Sequence, residues 1–187
     1  MGPERRKVSV RAIVVLAAVA GFVLLVDQAA KFAVTSTMTL GQTIQLIGSQ
    51  FTLHYVKNAG AAFSIGTGAT WIFTIIALGV LGFVVWWAPR IRSVAWAIVL
   101  GLLLGGLLGN LGDRLFRPPS FGEGQVIDFI TIPLLPAVFN LADSAITLAA
   151  VLFIVLTIRG IGLDGRRHVT PSADPADPDR TPTDPGR

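Results

Sequence analysis

Two carboxylates stand where this chain can least easily tolerate them: Asp128 in the run V-I-D-F-I, and Asp143 in F-N-L-A-D-S-A-I. A charged Asp at the centre of a membrane helix costs about 2.5 to 3.5 kcal/mol on insertion scales, so an acid in such a setting marks a functional site by default. Two acids that share a site cannot both ionise readily; one keeps a proton while the other acts as a base. That division of labour suits hydrolysis by an activated water, and it also suits a small proton-coupled membrane carrier. The carrier reading calls for internal inverted repeats, which the chain does not show. A serine nucleophile would have to come from Ser64 or Ser144 with His54 as base, and neither serine lies in a G-x-S-x-G context.

Further polar side chains accompany the two acids. Asp27 and Lys31 are four apart with the acid first, the favourable order for a helical ion pair. Asn58 lies in K-N-A-G-A-A-F-S, where small residues permit close approach of a ligand or of backbone. Asn110, Asp113 and Arg114 fall in G-N-L-G-D-R, and Asn140 precedes Asp143 by three, so on a helix those two share a face. Spacing alone leaves Asp113, fifteen residues before Asp128, as an alternative partner in an acid pair.

The elements that must position these groups follow from composition. Of 187 residues, 52% are hydrophobic and 14% charged, and the mean hydropathy is +0.69. That balance excludes an ordinary soluble domain and describes an integral membrane protein. With no Cys and two His, disulfides, thiolate metal sites and a cysteine nucleophile are excluded. Four stretches approach the roughly 20 residues needed to span a bilayer: 11–31, 69–88, 94–111 and 136–158. The first has a basic leader and an uncharged core of only Ala12 to Val26, which is also the pattern of a secretory signal peptide. Asp27 and Lys31 fit a retained helix better than a cleavage site.

Charge placement predicts orientation. Arg5, Arg6, Lys7 and Arg11 precede the first helix, Arg90 and Arg92 lie between the second and third, and Arg159, Arg166 and Arg167 follow the fourth. By the positive-inside rule both termini are expected in the cytoplasm and the two longer loops outside. The net charge of +4 is therefore a topology signal, and nucleic acid is not an expected partner. In the outer region about 40–57, T-I-Q-L-I and F-T-L-H-Y-V flank G-S-Q and read as a hairpin; 125–132 is a short β-branched run that would carry Asp128 on a strand. Gly101, Gly105 and Gly109 recur every four residues and predict a helix face open to close packing. Residues 164–187, with five prolines, read as a disordered cytoplasmic tail after a single unit of 1–163 that holds the four helices.

Taken in order, D-Q-A-A-K (27–31), N-A-G-A-A-F-S (58–64), G-N-L-G-D-R (109–114), V-I-D-F (126–129) and F-N-L-A-D-S-A-I (139–146) resemble the five motifs of the lipoprotein signal peptidase family, also called signal peptidase II. The resemblance implies an all-α membrane protein: four transmembrane helices, both termini cytoplasmic, with a small β-sheet or hairpin on the outer membrane face. It implies a bacterial aspartic endopeptidase of the inner or plasma membrane, with its active site near the outer face. Its partners would be membrane lipid and a diacylglyceryl-prolipoprotein cleaved just before the lipidated cysteine. Asp128 and Asp143 match the family's catalytic positions. Asp27, Lys31, Asn58, Asn110, Asp113, Arg114 and Asn140 match residues that support the pair or hold substrate. No metal or organic cofactor is expected, and the expected state is a monomer.

Overall fold

The structure is a computed structural model that describes residues 9–60 and 70–167. Among the described residues, four long apolar helices and one four-stranded antiparallel sheet make up the fold. Helix α1 runs Val10–Thr37, α2 Thr70–Trp87, α3 Val94–Phe116 and α4 Leu141–Ile158. Strands β1 (Thr43–Ile47) and β2 (Phe51–Asn58) lie between α1 and α2; β3 (Val126–Ile132) and β4 (Leu135–Phe139) lie between α3 and α4.

Each helix is apolar enough to cross a bilayer. Large side chains such as Phe22, Leu25, Phe32, Phe83, Trp86 and Phe153 point outward and exposed. With lipid as solvent, packing between helices comes from small residues rather than from expulsion of apolar surface. The glycines of α3 supply it. A Cβ on Gly101 would lie 2.9 Å from the Leu16 carbonyl, and one on Gly105 2.7 Å from that of Ala20, so backbone meets backbone along α1. Gly106 serves the opposite neighbour, where a Cβ would lie 2.5 Å from the Ala142 carbonyl in α4. Helix α3 is thus the central element, gripped by α1 on one side and α4 on the other. One apolar cluster, built on Ala12, Leu16, Ile91, Trp96, Ala97, Val99 and Ala149, closes one end of the bundle.

The sheet, in order β1-β2-β3-β4, packs on the opposite end. Tyr55, Ile127, Phe129 and Ile130 close over Val34 and Met38 at the C-terminal end of α1. Side chains alternate along a strand, so Ile127 and Phe129 enter this cluster while Val126 and Asp128 face a cavity. Register fixes the height of Asp128, which pairs with Val56 of β2 while Asn58 pairs with Val126.

Four expectations from the sequence are corrected. The first helix continues past Lys31 to Thr37, because Lys31 and Asp27 are buried in the protein and do not mark a membrane edge. The third continues past Leu111 to Phe116, since Asp113 and Arg117 pair across one helical turn. The fourth begins at Leu141 and not at Pro136: residues 135–139 form β4, and Asn140 and Asp143 close a reciprocal capping box that starts the helix. Proline is admissible in β4 because it is the edge strand of the sheet. Finally, residues 164–167, expected in the disordered tail, form a turn in which Gly162 donates to the Arg166 carbonyl, Ile161 bridges Arg167, and the Leu163 carbonyl accepts from Arg92 and Ser93. The rest of that tail, with Arg5, Arg6, Lys7 and Ser64, lies outside the described residues.

Candidate active site

Asp128 and Asp143 line one cavity of about 340 Å³, together with Asn58, Asn110 and Arg114. They arrive there by different routes: Asp128 by the alternation of β3, Asp143 as the third residue of α4, where the capping box fixes its side chain. An apolar groove of about 580 Å³, lined by Leu135, Ala137, Phe139, Thr147, Leu148 and Val151, adjoins the cavity at Asp143.

All four carboxylate oxygens are held by N–H donors. Asn58 Nδ2 donates to Asp128 Oδ2 at 2.9 Å, and Asn140 Nδ2 donates to Asp128 Oδ1 at 2.6 Å. Asn110 Nδ2 donates to Asp143 Oδ1 at 2.7 Å, and the Asn140 backbone N–H donates to Asp143 Oδ2 at 3.2 Å. Asn140 therefore touches both acids while its own Oδ1 accepts from the Asp143 N–H at 2.9 Å. The side chain of Asn140 is fully buried. Its Nδ2 also donates to Asn110 Oδ1 at 3.1 Å, which turns the Asn110 amide so that its N–H faces Asp143.

Burial pushes the Asp128 carboxyl up from its ordinary 3.8 to about 6; the Asn58 hydrogen bond opposes the shift, the nearby Asp143 charge adds to it, and Asn140 and Lys31 oppose it. A carboxyl so raised still holds its proton in mildly acidic solution. Its contribution to stability is fully present below 3.8 and is lost as the pH rises through about 6. Infrared titration should accordingly show a protonated carboxyl stretch that disappears with a midpoint near 6 and is missing from Asp128→Asn. A spectrum with no carboxyl titrating above the ordinary range would contradict the burial argument.

Behind the cavity lies a buried charge cluster. Lys31 Nζ pairs with Asp27 Oδ2 and with Asp113 Oδ2, each at 2.8 Å, and Asp113 Oδ1 also pairs with Arg117 at 2.5 Å. Gly109 makes room for it, since a Cβ there would lie 2.5 Å from Asp27 Oδ2. Asp27, Lys31 and Asp113 are all buried and none lines the cavity, so Asp113 is not the partner of Asp128. Arg114 does line it: one guanidinium nitrogen donates to the Gly60 carbonyl at 3.3 Å, and buried Nε has no hydrogen-bond partner among the described residues.

The serine alternative finds no support in the described residues. Ser144 Oγ donates to the Asn140 carbonyl at 2.9 Å within α4, and His54 Nδ1 is 2.8 Å from Thr43 Oγ1 across the β1–β2 hairpin. Two supporting residues escaped the sequence reading. Arg117 is four residues after Asp113, the same spacing as Asp27 and Lys31, but the pair is visible only once α3 extends beyond Leu111. Gln28, whose Nε2 donates to the Gly109 carbonyl at 3.1 Å and to Asp27 Oδ2 at 3.2 Å, carries no signal beyond adjacency to Asp27.

Known proteins resemble this chain in sequence and fold. Residues 19–159 match the family model described as Signal peptidase (SPase) II. The chain is 63% identical over 166 residues to a lipoprotein signal peptidase of Leifsonia xyli subsp. xyli, covering 89% of this chain and 77% of that one. It is 46% identical over 166 residues to a lipoprotein signal peptidase of Streptomyces coelicolor, covering 89% and 80%. A solved structure described as a bacterial membrane enzyme superposes with a TM-score of 0.73 at 26% identity, covering 89% of this chain and 100% of that one. The acid pair therefore sits in a membrane peptidase scaffold, and the chain belongs to the signal peptidase II family.

Proposed function

We propose that Asp128 and Asp143 form the catalytic dyad of an aspartic endopeptidase that removes the signal peptide from diacylglyceryl-modified prolipoproteins, cutting just before the lipidated cysteine. The observation that carries this reading is the pair of carboxylates facing one cavity, each held by two N–H donors and both touched by Asn140. The ionised member takes a proton from water as the water oxygen attacks the scissile carbonyl; the protonated member hydrogen-bonds the carbonyl oxygen and then helps to protonate the leaving amine. These roles belong to the dyad as a unit, since either carboxylate can stand as base while the other stands as acid. Arg114 and Asn58, at the cavity wall, supply donors for peptide carbonyls and for the charge that develops on the attacked oxygen. Water and the two carboxylates suffice for this route.

The dyad lies at the sheet end of the bundle, beyond the C-terminal half of α1. With Arg90, Arg92, Arg159, Arg166 and Arg167 at the other end, the positive-inside rule puts the sheet and the dyad on the outer face and both termini in the cytoplasm, with the segment after Arg167 as a cytoplasmic tail. A monomer fits this placement, since one chain furnishes the whole dyad and its donors. Diacylglycerol can then remain among the acyl chains, with the apolar groove beside Asp143 as its entry to the site. Purified protein is expected to convert a diacylglyceryl-prolipoprotein to a product whose N-terminal residue is the lipidated cysteine, read by mass spectrometry, and to leave the unlipidated precursor intact. Equal cleavage of both precursors would defeat the substrate assignment.

A further inference from the structure

Close packing explains four glycines of α3 but not the last. Gly101 and Gly105 meet α1, Gly106 meets α4 and Gly109 meets Asp27, whereas a Cβ on Gly112 would meet nothing within 4 Å. Glycine inside a helix is destabilising relative to alanine, and no neighbour requires one here. What the missing side chain leaves is a groove of about 450 Å³ between α1 and the C-terminal part of α3, walled by Leu24, Leu108, Leu111 and Leu115. The groove shares no lining residue with the dyad cavity or with the apolar groove beside Asp143.

Arg117, the residue after α3, lines the end of the groove nearest the sheet, and its side chain is 28% exposed. Its Nε donates to Asp113 Oδ1 at 2.5 Å, and its two terminal nitrogens have no hydrogen-bond partner among the described residues. The other polar groups of the groove are already engaged. Gln28 Nε2 donates to the Gly109 carbonyl and to Asp27, and Asp113 Oδ2 accepts from Lys31 and from the Ile127 N–H. A ligand therefore meets an apolar trough that runs along about 13 Å of helix from Leu108 to Arg117, with unused guanidinium N–H groups at one end. A guanidinium fork matches a phosphate with two parallel hydrogen bonds. Asp113, the acid among the described lining residues, has both oxygens occupied, so the ammonium of a zwitterionic headgroup finds no free carboxylate. The geometry points to a binding site for an anionic phospholipid, its phosphodiester on Arg117 and one acyl chain in the trough opened by Gly112. The site stands independently of the dyad assignment.

The test uses the full chain in detergent, stripped of co-purifying lipid and titrated with phosphatidylglycerol, with phosphatidylcholine bearing the same acyl chains, or with glycerol phosphate. Native mass spectrometry is expected to show phosphatidylglycerol retained roughly tenfold more tightly than phosphatidylcholine. The unfolding temperature should rise with phosphatidylglycerol concentration, because the lipid binds the folded chain; glycerol phosphate should give neither effect. Gly112→Phe has room to fold and fills the trough, so it should lose the retained lipid, whereas Gly112→Ala should keep it. Arg117→Gln leaves Asp113 paired with Lys31 and should erase the preference between headgroups. Equal retention of the two lipids by the parent chain overturns the headgroup assignment. Undiminished retention in Gly112→Phe overturns the site and puts the lipid elsewhere, and protection by glycerol phosphate makes the site one for free phosphate. Should Gly112→Phe fail to fold, Leu108→Trp closes the far end of the same groove, and undiminished retention in that variant overturns the site equally.

Discussion

Asp128→Asn and Asp143→Asn are each expected to lower kcat on a diacylglyceryl-prolipoprotein by on the order of 10³-fold or more, while the protein remains folded and inserted. The expectation comes from the contacts. An amide can neither take a proton from water nor donate a carboxylic O–H, so each substitution removes one of the two required functions. The scaffold is retained because the neighbours hold backbone as well as side chain: the Ile127 N–H stays on Asp113 and the Ala142 N–H stays on Asp27. Some strain is expected at Asp128, since an amide nitrogen there must face a donor from Asn58 or Asn140. Asp113→Asn is the internal comparison. Its carboxylate lies in the ion cluster and not in the cavity, so that variant should lose stability, by roughly 3 kcal/mol for a broken buried pair, yet keep measurable turnover. Substantial turnover by either dyad variant, or loss of turnover at Asp113 with retention at Asp128, would reassign the acids.

The outcome at Asp113 shows how far a linear reading reaches. Four apolar stretches, the hairpin before α2 and the strand carrying Asp128 are all legible, because length, hydropathy and period-two alternation are local properties. The helix boundaries are not legible where polar residues belong to the protein interior. Asp27 and Lys31 look like the end of a span, but Lys31 reaches Asp113 and Asn110 across the bundle, and those partners stand about eighty positions away. Likewise Leu135–Phe139 continues the apolar run of α4, and only its pairing with β3 makes it a strand. A capping signal at Asn140 and Asp143 was present, three residues apart, and would have placed the helix start correctly. The candidate residues themselves were legible as types. Their division into a cavity wall and a charge cluster behind it was not, because it depends on which face of α3 meets α1 and which meets α4.

Asn140 offers the sharpest separation of folding from chemistry. Its side-chain oxygen caps α4 by accepting from the Asp143 N–H, while its side-chain nitrogen donates to Asp128 Oδ1 at 2.6 Å and to Asn110. Asn140→Ala removes both functions. The lost cap costs about 1 kcal/mol, the stranded partners in a fully buried position add roughly 1 to 3 kcal/mol, and kcat is expected to fall by on the order of 10²-fold as Asp128 loses a donor and the Asn110 amide that holds Asp143 loses the contact that orients it. Asn140→Asp is the informative partner. Asp caps about as well as Asn, so thermal unfolding should show α4 retained far better than in Asn140→Ala. Yet it replaces the donor facing Asp128 with an oxygen, and a third carboxyl in contact with the dyad must either repel it or take up its proton. Turnover should therefore fall further in Asn140→Asp than in Asn140→Ala, while stability moves in the opposite order. Were the two properties to fall together across both variants, Asn140 would be a helix cap and nothing more. An inverted order would instead mean that the side-chain N–H donated to Asp128, held in place by the cap, is what the chemistry requires of Asn140.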